Sequence, residues 1–570
     1  MAQAAGAPAA VTVSRRIVRR PAVLPTGEWP ADWPDVLRRV HAARGSRDFA
    51  AAMPRLSGLL PYHALKGIDA ATALLQSAIE RDARILVVGD FDCDGATACA
   101  VGVRGLRLLG ARNVLHAVPN RIVHGYGLTP GLVDELAALA PDLVVTVDHG
   151  IACHAGISAA KARGWQVLVT DHHLPGATLP PADAIVNPNQ PGDGFASKAL
   201  AGVGVIFYVL LALRARLGSR ADLPSLLDLV AVGTVADMVP LDANNRALIG
   251  AGLRRLRTGQ GCTGLHALIE VAGRKNATLT TADIGFAIGP RINAAGRLED
   301  MAIGIECLLA EDAGQARELA TTLNDINTQR RALQAQMQDH AETRLDALND
   351  VHGACLFDPD WHPGVVGLIA SKLKEKLHRP AIAFAPVEPE AAVLRGSARS
   401  IPGFHIRDAL ALVDARHPGL ILRFGGHAMA AGLSLARGDF PIFRDAFDAV
   451  VGQTLAEELL TDVIHSDGAL APDELTFRAA VALCDGGHWG QGYPEPMFDD
   501  VFDVLDWRVL KDRHLKLELG LNGARFSAIA FNGWDGSAPS QRLHLAYRIA
   551  PDRWRGGEAI QLLITYKESL

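Results

Sequence analysis

The stretch ILVVGDFDCDGATA, Ile85 to Ala98, decides the fold. Four apolar residues that suit a buried strand run into Gly89, and Asp90, Asp92 and Asp94 then follow at every second position. Carboxylates this close repel one another unless a proton or a cation intervenes. Such a strand end is therefore either a solvated turn or a cation cradle, and the rest of the chain decides which.

Two further apolar runs end in the same way. DLVVTVDHG ends on Asp148 and His149, and WQVLVTDHH on Asp171, His172 and His173. Continuous apolar runs suit parallel strands covered on both faces. GLVDELAALA and IACHAGISAAKARG between them read as crossover helices, so the series is βαβ and the fold class α/β. Open parallel sheets bind ligands beyond the carboxyl ends of their strands, so the three ends are expected to converge in one crevice. A later apolar run, LVAVGTVADMVPLD, carries Asp237 in its interior, where an acid needs a partner. A helix cap or an arginine is the plain alternative there, as a surface turn is for a lone Asp-x-Asp. Coincidence of all three ends on apolar strands favours a site. Carboxylates with a minority of histidines suit Mn²⁺ or Mg²⁺ better than thiolate-seeking ions. Their number is enough for two cations about 3.5–4 Å apart, the arrangement for in-line attack on phosphorus.

The chain has 570 residues, more than one hydrophobic core organises, and its net charge of -6 neither advertises nor excludes nucleic acid. Residues 1–55 read as an extended arm with a short helical lead-in. The catalytic α/β domain is expected over 56–305 and a second α/β domain over 351–455. A connecting helix is expected over 306–350, because a single glycine and no proline occur from Glu311 to Asp350. From 456 to 570 the texture changes to short alternating strands and turns, which suggests a small β-barrel. The seven cysteines are scattered and form no C-x-x-C pair, so reduced thiols and a cytoplasmic setting are expected. The paired arginines near the N-terminus lack the apolar stretch of an export signal. No window approaches the ~18 apolar residues of a membrane span, so no membrane is expected as a partner.

GDFDCDG, PNRIVHGYG, TVDHGI, TDHH and VGTVADMVPLDANNR resemble, in order, the motifs of the DHH phosphoesterase superfamily. GPRINAAGRLEDM, GSARSIPGFHI and FGGHAMAAGL narrow the likeness to its RecJ branch, single-strand-specific 5′→3′ exonucleases. The resemblance covers about residue 60 to the C-terminus, including GYPEPMF and the barrel. It implies a DHH catalytic domain, a DHH-associated domain and an OB-type barrel that holds the incoming strand. It implies two divalent cations, Mn²⁺ or Mg²⁺, on Asp92, Asp94, Asp148, His172 and Asp237, with Asp148 bridging and Asp90 and His173 each as a ligand or close support. Asp171 is expected to orient or cap. His173 is expected beside the reacting phosphate, with Arg291 and Arg297 to neutralise it and Asn293 to position it, these last three from the glycine-rich loop GPRINAAGR. Arg121, Ser397 and Arg399 are implied as a pocket for the 5′ phosphate, and His427 as a contact where backbone approaches the strand. His149 departs from the Asn or Cys common in relatives and is expected to be dispensable. On the barrel, Trp507, Arg508, Lys511, Arg513, Lys516, Trp554 and Arg555 are candidates for single-strand binding. The implied function is release of 5′-mononucleotides from single-stranded DNA, in repair and recombination, by a monomer working with a helicase and a single-strand-binding protein. Rival readings are a phosphodiesterase for very short RNA or dinucleotides, a pyrophosphatase, and a scaffold that has lost its ligands. Length and the terminal barrel oppose the first two, and the filled ligand positions oppose the third.

Overall fold

The computed structural model describes residues 15–121, 123–348, 351–552 and 555–570. It divides into a larger unit, Arg19–Asn327 with His465–Leu570, and a smaller one made chiefly of Thr328–Ile464.

In the larger unit the run that opens the sequence forms a strand, Ile85–Val88, buried throughout. Five strands lie in the order Val114–Ala117, Ile85–Val88, Leu143–Val147, Gln166–Thr170, Ala184–Val186, all parallel. Their alternate residues serve two cores, which is why the runs are continuously apolar. Ile85, Val87, Val145 and Leu168 face a core shared with the helices Cys93–Leu108 and Gly202–Arg216. Leu86, Val88, Val144 and Val167 face Leu132, Val133 and Ile157 on the crossover helices Pro130–Leu136 and His154–Ala162. In chain order the strands run 2-1-3-4-5, which reverses direction between Ile85–Val88 and Leu143–Val147.

The C-terminal part closes into a barrel of Phe498–Leu510, His514–Leu521, Ala524–Ala530, Ile560–Ser569 and Arg542–Pro551. Only the contact of Ala524–Ala530 with Ile560–Ser569 is parallel. Leu515, Leu517 and Leu519 point inward against Phe498, Phe502 and Tyr547, the period of two expected of a one-sided strand. This is the OB-type topology expected, but the barrel begins at Phe498 rather than near 456.

The preceding residues do something else. Where an extended arm was expected, Arg15–Arg19 is a strand paired with Asp462–Ser466. Arg19 binds Asp499 through Nε and Nη2, at 3.0 and 2.8 Å. The helix Asp35–Ala42 buries Val36, Leu37 and Val40 in the core that holds Leu483, Trp489 and Tyr493. Arg44 and Asp467, both sequestered from solvent, pair at 2.9 Å.

The smaller unit has a mixed sheet in the order Arg423–Gly426, Ala430–Ala436, Val393–Arg399, Ala381–Pro386, Ala354–Phe357. Only its last pair is parallel. One face packs Leu394, Ala398, Leu433 and Phe384 against Leu410, Phe443 and Phe447. The helix linking the halves of the chain is Ala313–Glu342, shorter than the expected 306–350, because Ala302–Leu309 forms a helix of its own. Among the described residues no helix is long and apolar enough to cross a membrane.

Candidate metal centre

The acids of the opening stretch leave the sheet at its point of reversal. Asp92 caps the helix Cys93–Leu108, its Oδ1 accepting the Gly95 N–H at 3.0 Å. Asp94, in the first turn, is buried and accepts the Gly202 and Val203 N–H groups at 2.6 and 3.1 Å. Those amides open the helix Gly202–Arg216, so a carboxylate lies at the positive end of a second helix. On the neighbouring strand end Asp148 adopts the left-handed backbone conformation, φ 65°. That conformation costs an ordinary residue about 1–2 kcal/mol, and it persists where surrounding structure imposes it. A Cβ on Gly202 would stand 2.5 Å from the Asp148 carboxylate, so only glycine lets that helix approach.

His172 Nε2 lies 3.1 Å from Asp148 Oδ1 and 3.5 Å from Asp237 Oδ2. Asp237 follows the helix Leu227–Ala236 and lies at its C-terminal cap. Three groups of ligand atoms, each within 4.8 Å of one another, result: Asp90, Asp92 and Asp148; Asp94, His172 and Asp237; Asp148, His172 and His173. They overlap at Asp148 and His172. Asp90 Oδ1, Asp148 Oδ1 and Asp237 Oδ2 are buried and accept no hydrogen bond. Buried oxygens that accept no hydrogen bond are suited to a divalent cation, which would satisfy their lone pairs together with the His172 nitrogen.

Charge tells the same story. Burial, then the neighbouring Asp92, pushes Asp90 up to about 8 and Asp94 up to about 7. Burial, then Asp94, raises Asp148 and Asp237 well above the usual carboxylate range. The acids cannot all ionise together unless positive charge enters among them. The donor set of carboxylates and imidazole fits Mn²⁺ or Mg²⁺.

Asp171 stands apart. Its Oδ2 accepts the Ile151 N–H at 2.9 Å, and its Oδ1 accepts the His172 and His173 N–H groups and meets His173 Nδ1 at 2.8 Å. Burial opposes its ionisation, yet the His173 hydrogen bond and charge hold it below its ordinary value. Burial works against the His173 cation too, and the Asp171 partnership overcomes it and raises His173 to about 9. His149 is fully buried, its Nε2 lies 3.1 Å from the Val88 carbonyl, and burial pushes it down to about 4.

The expected GPRINAAGR loop is a helix, Gly289–Leu298, entered through a π-helical turn at Ile284–Ile288. Asn293 Oδ1 accepts the Cys93 N–H at 2.8 Å, and a Cβ on Gly296 would strike the Phe91 carbonyl at 1.8 Å. The helix thus braces the acid loop. Arg291 donates to the Asn324 side chain and the Ala287 carbonyl, and Arg297 is half-buried on the same helix. Arg121 sets its guanidinium 4.7 Å from the Phe91 ring centroid, beside that loop.

Ser397, Arg399 and His427 belong to the smaller unit. Arg399 Nη1 donates to Ser397 Oγ at 2.9 Å, which joins two of the expected phosphate contacts. His427 sits in a hairpin, its N–H donating to the Ala430 carbonyl at 2.8 Å. On the barrel Trp507 stacks on Trp534 at 5.5 Å, and Arg508 faces Lys516 across two strands. Trp554 lies outside the described residues. Sequence reasoning missed Gly202, Asn293's contact and Trp534. The small-residue run AGVGV, which opens a helix apolar through Leu213, was the available signal for Gly202.

The DHH family, N-terminal domain, matches residues 84–234, the DHHA1 domain 349–453, and the RecJ OB domain 466–566. The single-stranded-DNA-specific exonuclease RecJ of Dickeya dadantii is 48% identical over 98% of this chain and 99% of its own. The Thermus thermophilus RecJ structure in complex with Mn²⁺ is 32% identical, with TM-score 0.80 over 97% of this chain and 80% of that one. The Mg²⁺ complex from the same organism is 30% identical, with TM-score 0.76 over 98% and 78%.

Proposed function

The chain belongs to the RecJ family of single-stranded-DNA-specific exonucleases, and on that premise we propose that it degrades single-stranded DNA from the 5′ end, releasing 5′-mononucleotides. The observation that carries the reading is the convergence of Asp90, Asp92, Asp94, Asp148, His172 and Asp237 where the sheet reverses, with three orphaned carboxylate oxygens among them. These residues would hold two Mn²⁺ or Mg²⁺ ions, with Asp148 shared. Bound there, the cations activate water and neutralise charge on the phosphate under attack.

The chain's own groups do the rest. Asp171 fixes the His173 ring, so its imidazole N–H meets the phosphate in one orientation. Arg291 and Arg297 offset charge that develops in the transition state. Asn293 holds the acid loop in register through Cys93. Within the smaller unit Ser397 and Arg399 bind the 5′ phosphate by charge-assisted hydrogen bonds and His427 contacts the strand, and within the larger unit Arg121 offers a guanidinium to phosphate beside the acid loop. Trp507, with Trp534 behind it, gives bases a stacking platform, and Arg508 and Lys516 supply positive charge for the backbone. The setting is DNA repair and recombination in the cytoplasm, as a monomer with a helicase and a single-strand-binding protein.

The test is degradation of 5′-labelled and 3′-labelled single-stranded DNA, duplex DNA and RNA with Mn²⁺. Mononucleotides released from the 5′ end of single-stranded DNA alone are the expected result. Cleavage of dinucleotides without cleavage of long strands would overturn it in favour of a short-oligonucleotide phosphodiesterase.

A further inference from the structure

The mixed sheet of the smaller unit has three arginines and no acidic residue in its five strands, in a chain whose net charge is -6. Alternation on Val393–Arg399 sends Leu394 and Ala398 into the core and Arg395, Ser397 and Arg399 to the opposite face. Register extends that face across the sheet. Ser397 lies opposite Gly432, and Gly432 opposite Gly425. One row along, Arg395 lies opposite Ser434, and Ser434 opposite Arg423. Arg423 is exposed, while Arg395 and Ser434 are half-buried. A Cβ placed on Gly425 or Gly432 would meet nothing within 4 Å, so no side chain stands between the two rows there.

Two arginines flanking one serine on the same face are like charges brought together. Burial, then Arg423, lowers the affinity of Arg395 for its proton. A phosphate between the two guanidinium groups relieves that repulsion and takes a third hydrogen bond from the Ser434 hydroxyl. Successive outward rows on a strand stand about 7 Å apart, so this row lies one short step from Ser397 and Arg399.

We propose that Arg395, Ser434 and Arg423 form a second phosphate subsite, which holds another phosphate of the same polynucleotide whose 5′ phosphate sits at Ser397 and Arg399. The inference rests on the 5′-exonuclease reading above. The second phosphate is either an internal phosphodiester or part of a 5′ polyphosphate end, and the chemistry that recognises it is the same.

The experiment compares the full-length protein with Arg395→Ala/Arg423→Ala on three Mn²⁺-supported substrates. These are a 5′-monophosphorylated dinucleotide, a long 5′-monophosphorylated single strand and the same strand with a 5′ triphosphate. The single variant Arg423→Ala, on an exposed edge strand, carries the test if the double variant does not fold. The expected result is a kcat/KM on one of the longer phosphate chains that falls about tenfold more than on the dinucleotide. A selective loss on both long strands assigns an internal phosphodiester, and a loss confined to the triphosphate assigns the 5′ end. Binding of whichever long strand shows the loss should also lose about 0.7 from its salt slope for each arginine removed. Equal losses on all three substrates, or a salt slope identical to the parent's, would overturn the subsite. Absence of 5′-end degradation by the parent protein would instead overturn the reading on which it rests.

Discussion

The two sheets of this chain put their chemistry in different places. In the parallel sheet both faces are covered by helices, so charge is left only at the strand ends, where Asp90 and Asp148 emerge. In the mixed sheet Arg395, Ser397 and Arg399 stand half-buried in a row along one face, with Gly367 of the helix Val366–Leu377 close against Ser397 and Arg399. One site is a buried knot of negative charge and the other a half-exposed strip of positive charge.

The largest break in the contrast comes from Asp148→Asn. Asparagine tolerates the left-handed conformation at that position, so the fold survives. Exonuclease activity should drop by about a thousandfold, the scale on which a preorganised charge-stabilising group acts. A variant that still degrades single strands at the parent rate would remove the parallel sheet's end from the chemistry.

Asp171→Asn sharpens the same side. It keeps the shape but loses the charge that holds His173, and a loss of about 10–100-fold in kcat is expected, as for other groups that orient ligands. The accompanying sign is a downward move of the His173 titration, readable by NMR. An unmoved His173 titration would show that Asp171 does not govern it.

On the arginine strip, Arg399→Ala should weaken preference for a 5′-phosphorylated over a 5′-hydroxyl strand by about tenfold, the worth of one charge-assisted contact. Competition binding with the two strands checks this. An unchanged preference would deny the strip its anion.

The smallest effect is one of stability. Asp90 and Asp94 have folded-state values of about 8 and about 7, raised from 3.8. Folding therefore takes up protons, and the metal-free protein should lose stability as pH rises from the ordinary carboxylate range through 7 to 8. With Mn²⁺ present the trend should flatten, because the cation replaces those protons. Melting temperatures across this window, with chelator and with Mn²⁺, give the answer. A metal-free protein that gains stability with pH would mean that the acids do not repel.

Much of this was legible along the chain because the informative contacts are local. Period and continuity reveal a strand covered on both faces, and an acid immediately after such a strand lies at its end by construction. Asp90, Asp92, Asp94, Asp148 and His172 were reachable in that way. What was not legible depends on partners far off in sequence. The helical state of GPRINAAGR follows from packing against Phe91 and Cys93, nearly two hundred residues earlier. Asp237 comes to the site through the C-terminal end of a helix whose apolar run carries no sign of direction. Residues 15–55 look like an arm because the partners of Arg19 and Arg44 are Asp499 and Asp467.

That last pairing bears on how the protein is made. The larger unit is discontinuous: residues near 40 share a core with residues near 490, and the smaller unit is spliced in between. A ribosome delivers His41 long before Tyr493, the residue whose hydroxyl lies 2.6 Å from its ring. Until then Val36, Leu37 and Val40 have no complete core to enter. The catalytic unit therefore reaches its final form only after synthesis has passed the segment before the barrel, a late closure that high contact order makes slow. Chains released short of that segment would carry every acid of the metal centre and still lack the clasp that finishes the fold around it.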